Sequence, residues 1–426
     1  MTTERNFSNI GGTAGQPPQN IQHFMTNSPW SAQEVFVQIR AEVAATKTFA
    51  QGSVLLLDES ADEKASAKTV GAARQYNGRL GKLEMSQVGT FLSYANDGNW
   101  FWVEGELFLA QEWFTRHNAK ARKHLRIPLE RTFATKIELG WQMIGRVQEE
   151  GLPFELVCCD TLYGRSAWLR RKLSGAGLSY CADVPVDTHV YREKPVVGVP
   201  AHQSGKGRRA VKPRVLRAEK PLEVRQIAGL PETTWTRIEV RATERGLLHD
   251  EFSVRRVWTT QKGAEPMAEW LVMRRDGEGK IYYALSNESA HASLERLAWG
   301  KCQRVFIECA NRDAKSEIGW DELRAQKFPA WEHELVLVCL ATWFAAQTRL
   351  DWRERHPRDP ALARELGLEE LPPLSLANIR EFLRAAMPLP QLTVEAATDL
   401  VVEHLVNRAR SRKSRLKSLG YNHSLP

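Results

Sequence analysis

Ser53-Val-Leu-Leu-Leu-Asp58 is a continuous apolar run that stops at an acid, and a charged, small-residue loop follows at once. A run this short with no polar alternation predicts a strand buried on both faces. Phe154-Glu-Leu-Val-Cys-Cys-Asp160 predicts a second such strand and Leu178 to Val184 a third. Between the first two, Lys82 to Val88, Thr90 to Ala95 and Trp100 to Leu109 have strand composition, and Gly78 and Gly81 mark the turn ahead of them. Helical patterns cover Ser31 to Ala45, with Ser31 as cap and Glu34 as its partner, then Pro128 to Glu150 and Arg165 to Gly175. A strand meander followed by helix, strand, helix, strand puts the chain in the α/β class.

Past residue 190 the pattern changes. Tyr191 to Lys220 is dense in Lys and Arg and interrupted by Pro195, Pro200 and Pro213, which predicts a linker or exposed arm. Thr234 to Leu285 then alternates, as in Phe252-Ser-Val-Arg-Arg-Val-Trp258, with a turn at Asp276-Gly-Glu-Gly, and predicts a β-rich insertion. Helical patterns return at Ala290 to Ala298, Cys302 to Ile318, Trp331 to Gln347, Leu376 to Met387 and Val394 to Val406. The resulting division is a short N-terminal leader over 1–50, loosely ordered to about residue 28 and carrying one helix. A core follows over 51–190, then the basic arm and β-rich insertion over 191–290. Helices carrying Glu308 occupy 291–350, and 351–426 is a helical C-terminal region with a basic tail.

Composition refines this picture. Hydrophobic residues make up 42% and charged residues 26% of the 426, enough for a sizeable core. Lys and Arg exceed Asp and Glu by 59 − 51 = 8, which favours an anionic partner. The longest apolar run, Leu335 to Ala346, falls short of the ~20 residues of a membrane span, and the first residues carry no apolar signal segment. A cytoplasmic protein is therefore expected. None of the six Cys forms a CxxC pair, so buried thiols are expected rather than zinc ligands. The 14 Trp predict core packing, or stacking on a ligand.

The candidate chemistry lies in acids. Asp58 and Asp160 each end an apolar strand, where α/β sheets present ligand-binding groups. Glu308 lies mid-helix, and Arg304, Glu308 and Lys315 fall near one helical face. Three carboxylates from distant segments are what a pair of Mg²⁺ ions needs, and such a pair serves phosphoryl transfer. By spacing alone these residues read equally as turn acids and a surface ion pair.

A family resemblance sharpens this reading. Residues 55–95 (LLLDES…KTVGAARQYNGRLGKLEMSQVGTFLSYA) resemble the first catalytic block of bacterial insertion-sequence DDE transposases, the IS701-type group in particular. Residues 156–173 (LVCCDTLYGRSAWLRRKL) resemble the second block, a strand ending in D-x-x-Y-G. Arg304, Glu308 and Lys315 match three positions of the related Y-R-E-K signature, whose Tyr position is Lys301 here. The likeness spans roughly residues 20 to 350. It implies an RNase-H-like, retroviral-integrase-like catalytic core with a β-rich insertion and a helical C-terminal region. It implies Asp58, Asp160 and Glu308 as catalytic residues holding two Mg²⁺ ions, with Mn²⁺ as a substitute. It implies cleavage at transposon ends, strand transfer into target DNA, and action as a homodimer on paired ends of double-stranded DNA in the bacterial cytoplasm, at the nucleoid. Arg304 and Lys315 would then contact DNA phosphates. Trp258 is the candidate for stacking on a flipped base, with core packing as its other reading. Arg208, Arg209 and Lys212 in the arm and Arg412, Lys413 and Arg415 in the tail would add phosphate contacts, or are solvated charge. Two rival readings are a decayed or domesticated transposase that only binds DNA, and an RNase-H-like nuclease that cuts without joining.

Overall fold

The computed structural model describes residues 6–386 apart from 79, 97, 202–210, 244, 245, 323, 324 and 356–373, together with residues 395, 398, 402 and 406. Its centre is β1 (Val54–Glu63) in a ten-stranded sheet. One edge of β1 pairs antiparallel with β3 (Lys82–Asn96), whose other edge carries β2 (Ala73–Asn77) and β4 (Asn99–Leu107). The other edge of β1 pairs in parallel with β5 (Leu156–Cys159), and β5 in parallel with β6 (Tyr180–Asp183). β3 is one strand where the sequence pattern suggested two separated by Gly89. That glycine sits inside the strand because the Phe91 and Trp331 rings occupy the space a Cβ would take.

Two small ladders follow, β7 (His189–Val190) with β10 (Leu222–Glu223) and β8 (Val196–Gly198) with β9 (Arg214–Arg217). β11 (Thr236–Thr243), β12 (Gly246–Thr259), β13 (Met267–Arg275) and β14 (Ile281–Ser286) form an antiparallel meander. β14 pairs with β6, so the β-rich stretch extends the core sheet instead of building a sheet of its own.

The strand runs are uniformly apolar because helices cover both faces. Leu55, Leu57, Val157, Cys159, Tyr180 and Ala182 pack with the helices Ala32–Ala45, Lys136–Glu149, Ala167–Gly175 and Phe328–Arg355. Val54, Leu56, Leu156, Cys158 and Cys181 face the other way, against Phe306 and Ile307 of the helix Val305–Asp313. Most of the Trp-rich character belongs to the first face, where Trp102 stacks on Phe91 at 4.3 Å between centroids and Trp320 meets both edge-on. All described cysteines are free thiols, buried except for the half-buried Cys309.

Caps explain two boundaries. Ser31 Oγ accepts from the Glu34 N–H at 3.2 Å, as the sequence suggested. The helix expected from Pro128 begins only at Lys136, because Thr135 and Glu138 form a capping box there.

Residues 25–374 form one compact unit, and residues 1–24 with 375–426 another. In the second unit the leader is more ordered than its composition suggested, with helices Phe7–Ala14 and Pro18–Thr26. Asn6 accepts from the Asn9 N–H to start the first helix, Gly15 ends it in the left-handed conformation, and Pro18 pre-sets the first turn of the next. Leu376–Ala386 is helical as expected. Most of 394–406 and all of the basic tail 408–417 lie outside the described residues. Among the described residues no helix is long and apolar enough to cross a membrane.

Candidate active site

Register brings the first acids together. Leu57 faces Cys159 across β1 and β5, and Cys159 faces Ala182 across β5 and β6. One residue further along each strand stand Asp58, Asp160 and Asp183, a row with strand-to-strand spacing of ~4.8 Å. Side chains alternate along a strand, so Asp58 shares the face of Leu56, Asp160 that of Cys158, and Asp183 that of Cys181. That is the face covered by the helix Val305–Asp313, which carries Glu308. Glu59 alternates to the opposite face, where its carboxylate meets Lys136 Nζ at 2.6 Å.

The turn after β5 explains the D-x-x-Y-G pattern. Asp160 Oδ1 accepts from the backbone N–H groups of Leu162 at 2.9 Å and Tyr163 at 3.3 Å, capping the short helix Thr161–Gly164. Tyr163 is buried, with its hydroxyl 3.4 Å from Thr90 Oγ1, and therefore anchors the turn from within the core. A Cβ at position 164 would lie 2.0 Å from the carbonyl oxygen of Asp183, so only glycine lets this turn rest on the end of β6.

The Glu308 helix is fixed to the sheet by two indoles of β4. Trp100 Nε1 donates to Asp313 Oδ2 at 2.9 Å and Trp102 Nε1 donates to Asn311 Oδ1 at 3.0 Å. A wider π-helical turn, Ala314–Ile318, follows and carries Lys315. Glu308 and Lys315 thereby line one open cleft of about 760 Å³ together with Asp58, Asp160, Arg165, Asn311 and Tyr76.

The electrostatics of the row are uneven. The Asp58 carboxyl is pushed up to about 7, chiefly by burial and next by the neighbouring Asp160, against the pull of the Glu59 N–H and Arg304. Asp160 is also raised, first by burial, while the Tyr163 and Leu162 N–H groups oppose the rise. Asp183 instead sits between cations: Lys301 Nζ is 2.6 Å from Oδ1 and Arg304 Nε is 3.2 Å from Oδ2. Arg304 reaches on to Glu308, with Nη2 to Oε1 at 2.6 Å. Burial works against the Arg304 charge, and the surrounding carboxylates, Asp183 first, outweigh it.

The other sequence candidates fall in different places. Lys315 Nζ lies 3.5 Å from the Ala61 carbonyl at the cleft. Trp258 is half-buried in β12 and exchanges both backbone hydrogen bonds with Tyr191; it does not line the cleft. Lys212 is exposed ahead of β9 and is likewise absent from the cleft wall. Arg208, Arg209, Arg412, Lys413 and Arg415 lie outside the described residues. Sequence reasoning passed over Asp183, Arg165, Asn311 and Tyr76 as site residues. Asp183 could have been found as the acid closing the third apolar strand and Arg165 as the residue after D-x-x-Y-G, whereas Asn311 and Tyr76 carry no local signal.

The donor set suits a hard divalent cation, since Asp58 and Asp160 offer only oxygen and crowd two buried carboxylates that a dication would reconcile. The third acid is present in the cleft but its side chain is 57% exposed and paired with Arg304. Among the described residues no three His, Cys, Asp or Glu side chains converge as placed to hold an ion. Two of the three donors are thus adjacent, and the third would have to turn from Arg304 to join them.

A family model for DDE superfamily endonucleases matches residues 2–247. The chain belongs to this family. The matched region contains Asp58 and Asp160 and ends before Glu308. A curated relative described as a probable transposase for insertion sequence element IS701, from Microchaete diplosiphon, is 29% identical over 148 residues. That alignment covers 35% of this chain and 35% of the relative, so the likeness spans about a third of the relative's length. The mixed α/β architecture around one large sheet suits a DDE nuclease fold.

Proposed function

We propose that this protein is a transposase that cuts DNA at the ends of an insertion sequence and joins the freed ends to target DNA. The observation that carries the reading is that Asp58, Asp160 and Glu308 line one cleft with Lys315 and Arg165, in a chain of the DDE endonuclease family. The strand order β4-β3-β1-β5-β6, antiparallel then parallel, supports an RNase-H-like core. In this reading Asp58, Asp160 and Glu308 hold two Mg²⁺ ions, or Mn²⁺ in their place. Such a pair, when bound, stabilises the attacking and leaving oxygens of an in-line phosphoryl transfer.

The chain's own groups set the geometry. Asp160 is fixed by two backbone donors and Asp58 by its strand, so the two carboxylates need little reorganisation. Lys315 and Arg165 present cations to the phosphate backbone, and Arg304 adds positive charge behind the acids. Lys212, Arg208, Arg209, Arg412, Lys413 and Arg415 add affinity for duplex DNA without reading sequence. Trp258, on the extension, serves to stack on an unpaired base when a second copy or bent DNA reaches β12. Two ends must be cut and joined together, which calls for a homodimer on paired ends, working at the nucleoid.

The test is cleavage of a supercoiled plasmid bearing the element's own terminal sequences, with Mg²⁺ and target plasmid. Nicks confined to the terminal sequences, followed by joined products, are expected. Binding without any nick would point to a DNA-binding protein, and nicks without joining to a nuclease.

A further inference from the structure

Asp183 stands outside the acid set just assigned, yet it carries two ion pairs. It is the third member of the in-register row after Asp58 and Asp160. Its two oxygens are divided between two cations at the junction of two helices: Lys301, near the end of the helix Leu294–Cys302, at 2.6 Å, and Arg304, which precedes the helix Val305–Asp313, through Nε at 3.2 Å. Lys301 is 5% exposed, and its ammonium therefore depends on Asp183 for a counter-charge. Arg304 uses a different nitrogen for Glu308, at 2.6 Å, so the guanidinium bridges Asp183 and Glu308. The Asp183 carbonyl packs against Gly164, where an added Cβ would lie 2.0 Å from its oxygen. The acid is thus held on the backbone side by the same turn that caps on Asp160.

Resting on the transposase reading, we infer that Asp183 is a positioning residue: its ion pair with Arg304 holds the guanidinium beside Glu308, with Nη2 on the Glu308 carboxylate. An arginine held between two carboxylates keeps its planar fork in one orientation and loses less freedom when it meets a phosphate. Lys301 serves this arrangement by occupying the other Asp183 oxygen, which leaves a single oxygen for Arg304. No change of protonation is involved; the role is geometric.

The experiment uses the full chain, the plasmid carrying the element's terminal sequences, and Mg²⁺. Asp183→Asn should slow nicking at saturating DNA at least tenfold while the Kd for the duplex stays within twofold. That variant leaves Lys301 uncompensated and can lose stability, so the double variant Asp183→Asn, Lys301→Met is measured beside it. Its melting temperature should return to within a few degrees of the parent, and its nicking should stay slow. Recovery of parental nicking in the double variant overturns the inference, since Asp183 would then only neutralise Lys301. A second readout needs no catalysis: the Arg304 Nε resonance of ¹⁵N-arginine-labelled protein should stand apart from those of exposed arginines in the parent, and that displacement should be lost in both variants. Its persistence in the variants overturns the inference as well. A parent protein that never nicks removes the transposase reading, and the resonance still decides whether Asp183 holds Arg304.

Discussion

β1, β5 and β6 share one sheet with β11 to β14, yet the two regions treat charge in opposite ways. Val54 to Leu57, Leu156 to Cys159 and Tyr180 to Ala182 are all buried, and the next residue on each strand is an aspartate. In the extension, charges occur along the strands and pair across them. Arg274 meets Asp250 at 2.7 Å, Arg275 meets Glu251 at 2.7 Å, and the buried Glu269 takes Arg170 at 2.8 Å. The extension follows the ordinary rule that a half-buried charge finds a partner. The inner two aspartates of the row crowd each other instead, and the Asp58 carboxyl rises to about 7 as a result of burial and that neighbour. A cleft that sets like charges together suits a cationic ligand, which is the reading the proposed function takes.

The comparison breaks most sharply at Asp160. Asp160→Asn should lower strand cleavage by about a thousandfold or more, because a lost ligand removes several kcal/mol of charge stabilisation. Duplex affinity measured by anisotropy should hardly move, since phosphate contacts lie elsewhere. Parental cleavage in this variant would end the assignment of the triad.

Next in size is Gly164→Ala. A methyl group 2.0 Å from a backbone oxygen cannot be relieved by a side chain turning aside, so a loss of about 2–4 kcal/mol in urea unfolding is expected. Gly145→Ala is the matched control. Nothing lies within 4 Å of a Cβ there, in the helix Lys136–Glu149, and a gain of up to ~1 kcal/mol is expected.

The crowding of the row predicts an inverse effect on stability. The folded-state value of Asp58 lies above its unfolded value near 4, so its favourable contribution is complete at acid pH and is lost as pH rises toward 7. In metal-free protein, Asp58→Asn should therefore raise stability by roughly 1–3 kcal/mol at pH 8 and by nothing below pH 4. Thermal melts at the two pH values check this, and added Mg²⁺ should narrow the difference by stabilising only the parent. An equal shift at both pH values would assign the effect to packing.

The extension gives the smallest response. Glu251 and Arg275 are 43% and 33% exposed, so Glu251→Gln should cost less than about 0.5 kcal/mol. A larger loss would show that the extension, too, depends on its charges.

Much of this architecture was legible in the residue pattern. Uniformly apolar runs signalled strands covered on both faces, and the alternation in 252–258 signalled a strand with one open side. The break at Gly89 and the early start at Pro128 were misread because a glycine under an aromatic ring and a capping box both depend on neighbours beyond the local pattern. The leader was read as loosely ordered to about residue 28, and its helices were missed for a related reason: short caps such as Asn6 and Gly15 can close a helix in a polar, glycine-bearing segment. Within the site, the two aspartates were visible as the acids closing apolar runs, although β1 continues past Asp58 to Glu63 and only Asp160 follows the end of its strand; Glu308 needed family likeness, since one acid among many on a helix has no distinguishing period.

The sequence by itself determined that β1, β5 and β6 must be interior and that a charge appears where each leaves the apolar layer. It did so because burying an unpaired charge is costly, and a strand covered on both faces can place one only where that cover ends. What only the tertiary structure decided was that Asp58, Asp160 and Asp183 stand in one row, that they face the Glu308 helix, and that Arg304 joins Asp183 to Glu308. The register of Asp58 against Asp160 depends on pairings between residues about a hundred positions apart, and a slip of one residue would have turned the slipped strand's carboxylate to the other side of the sheet.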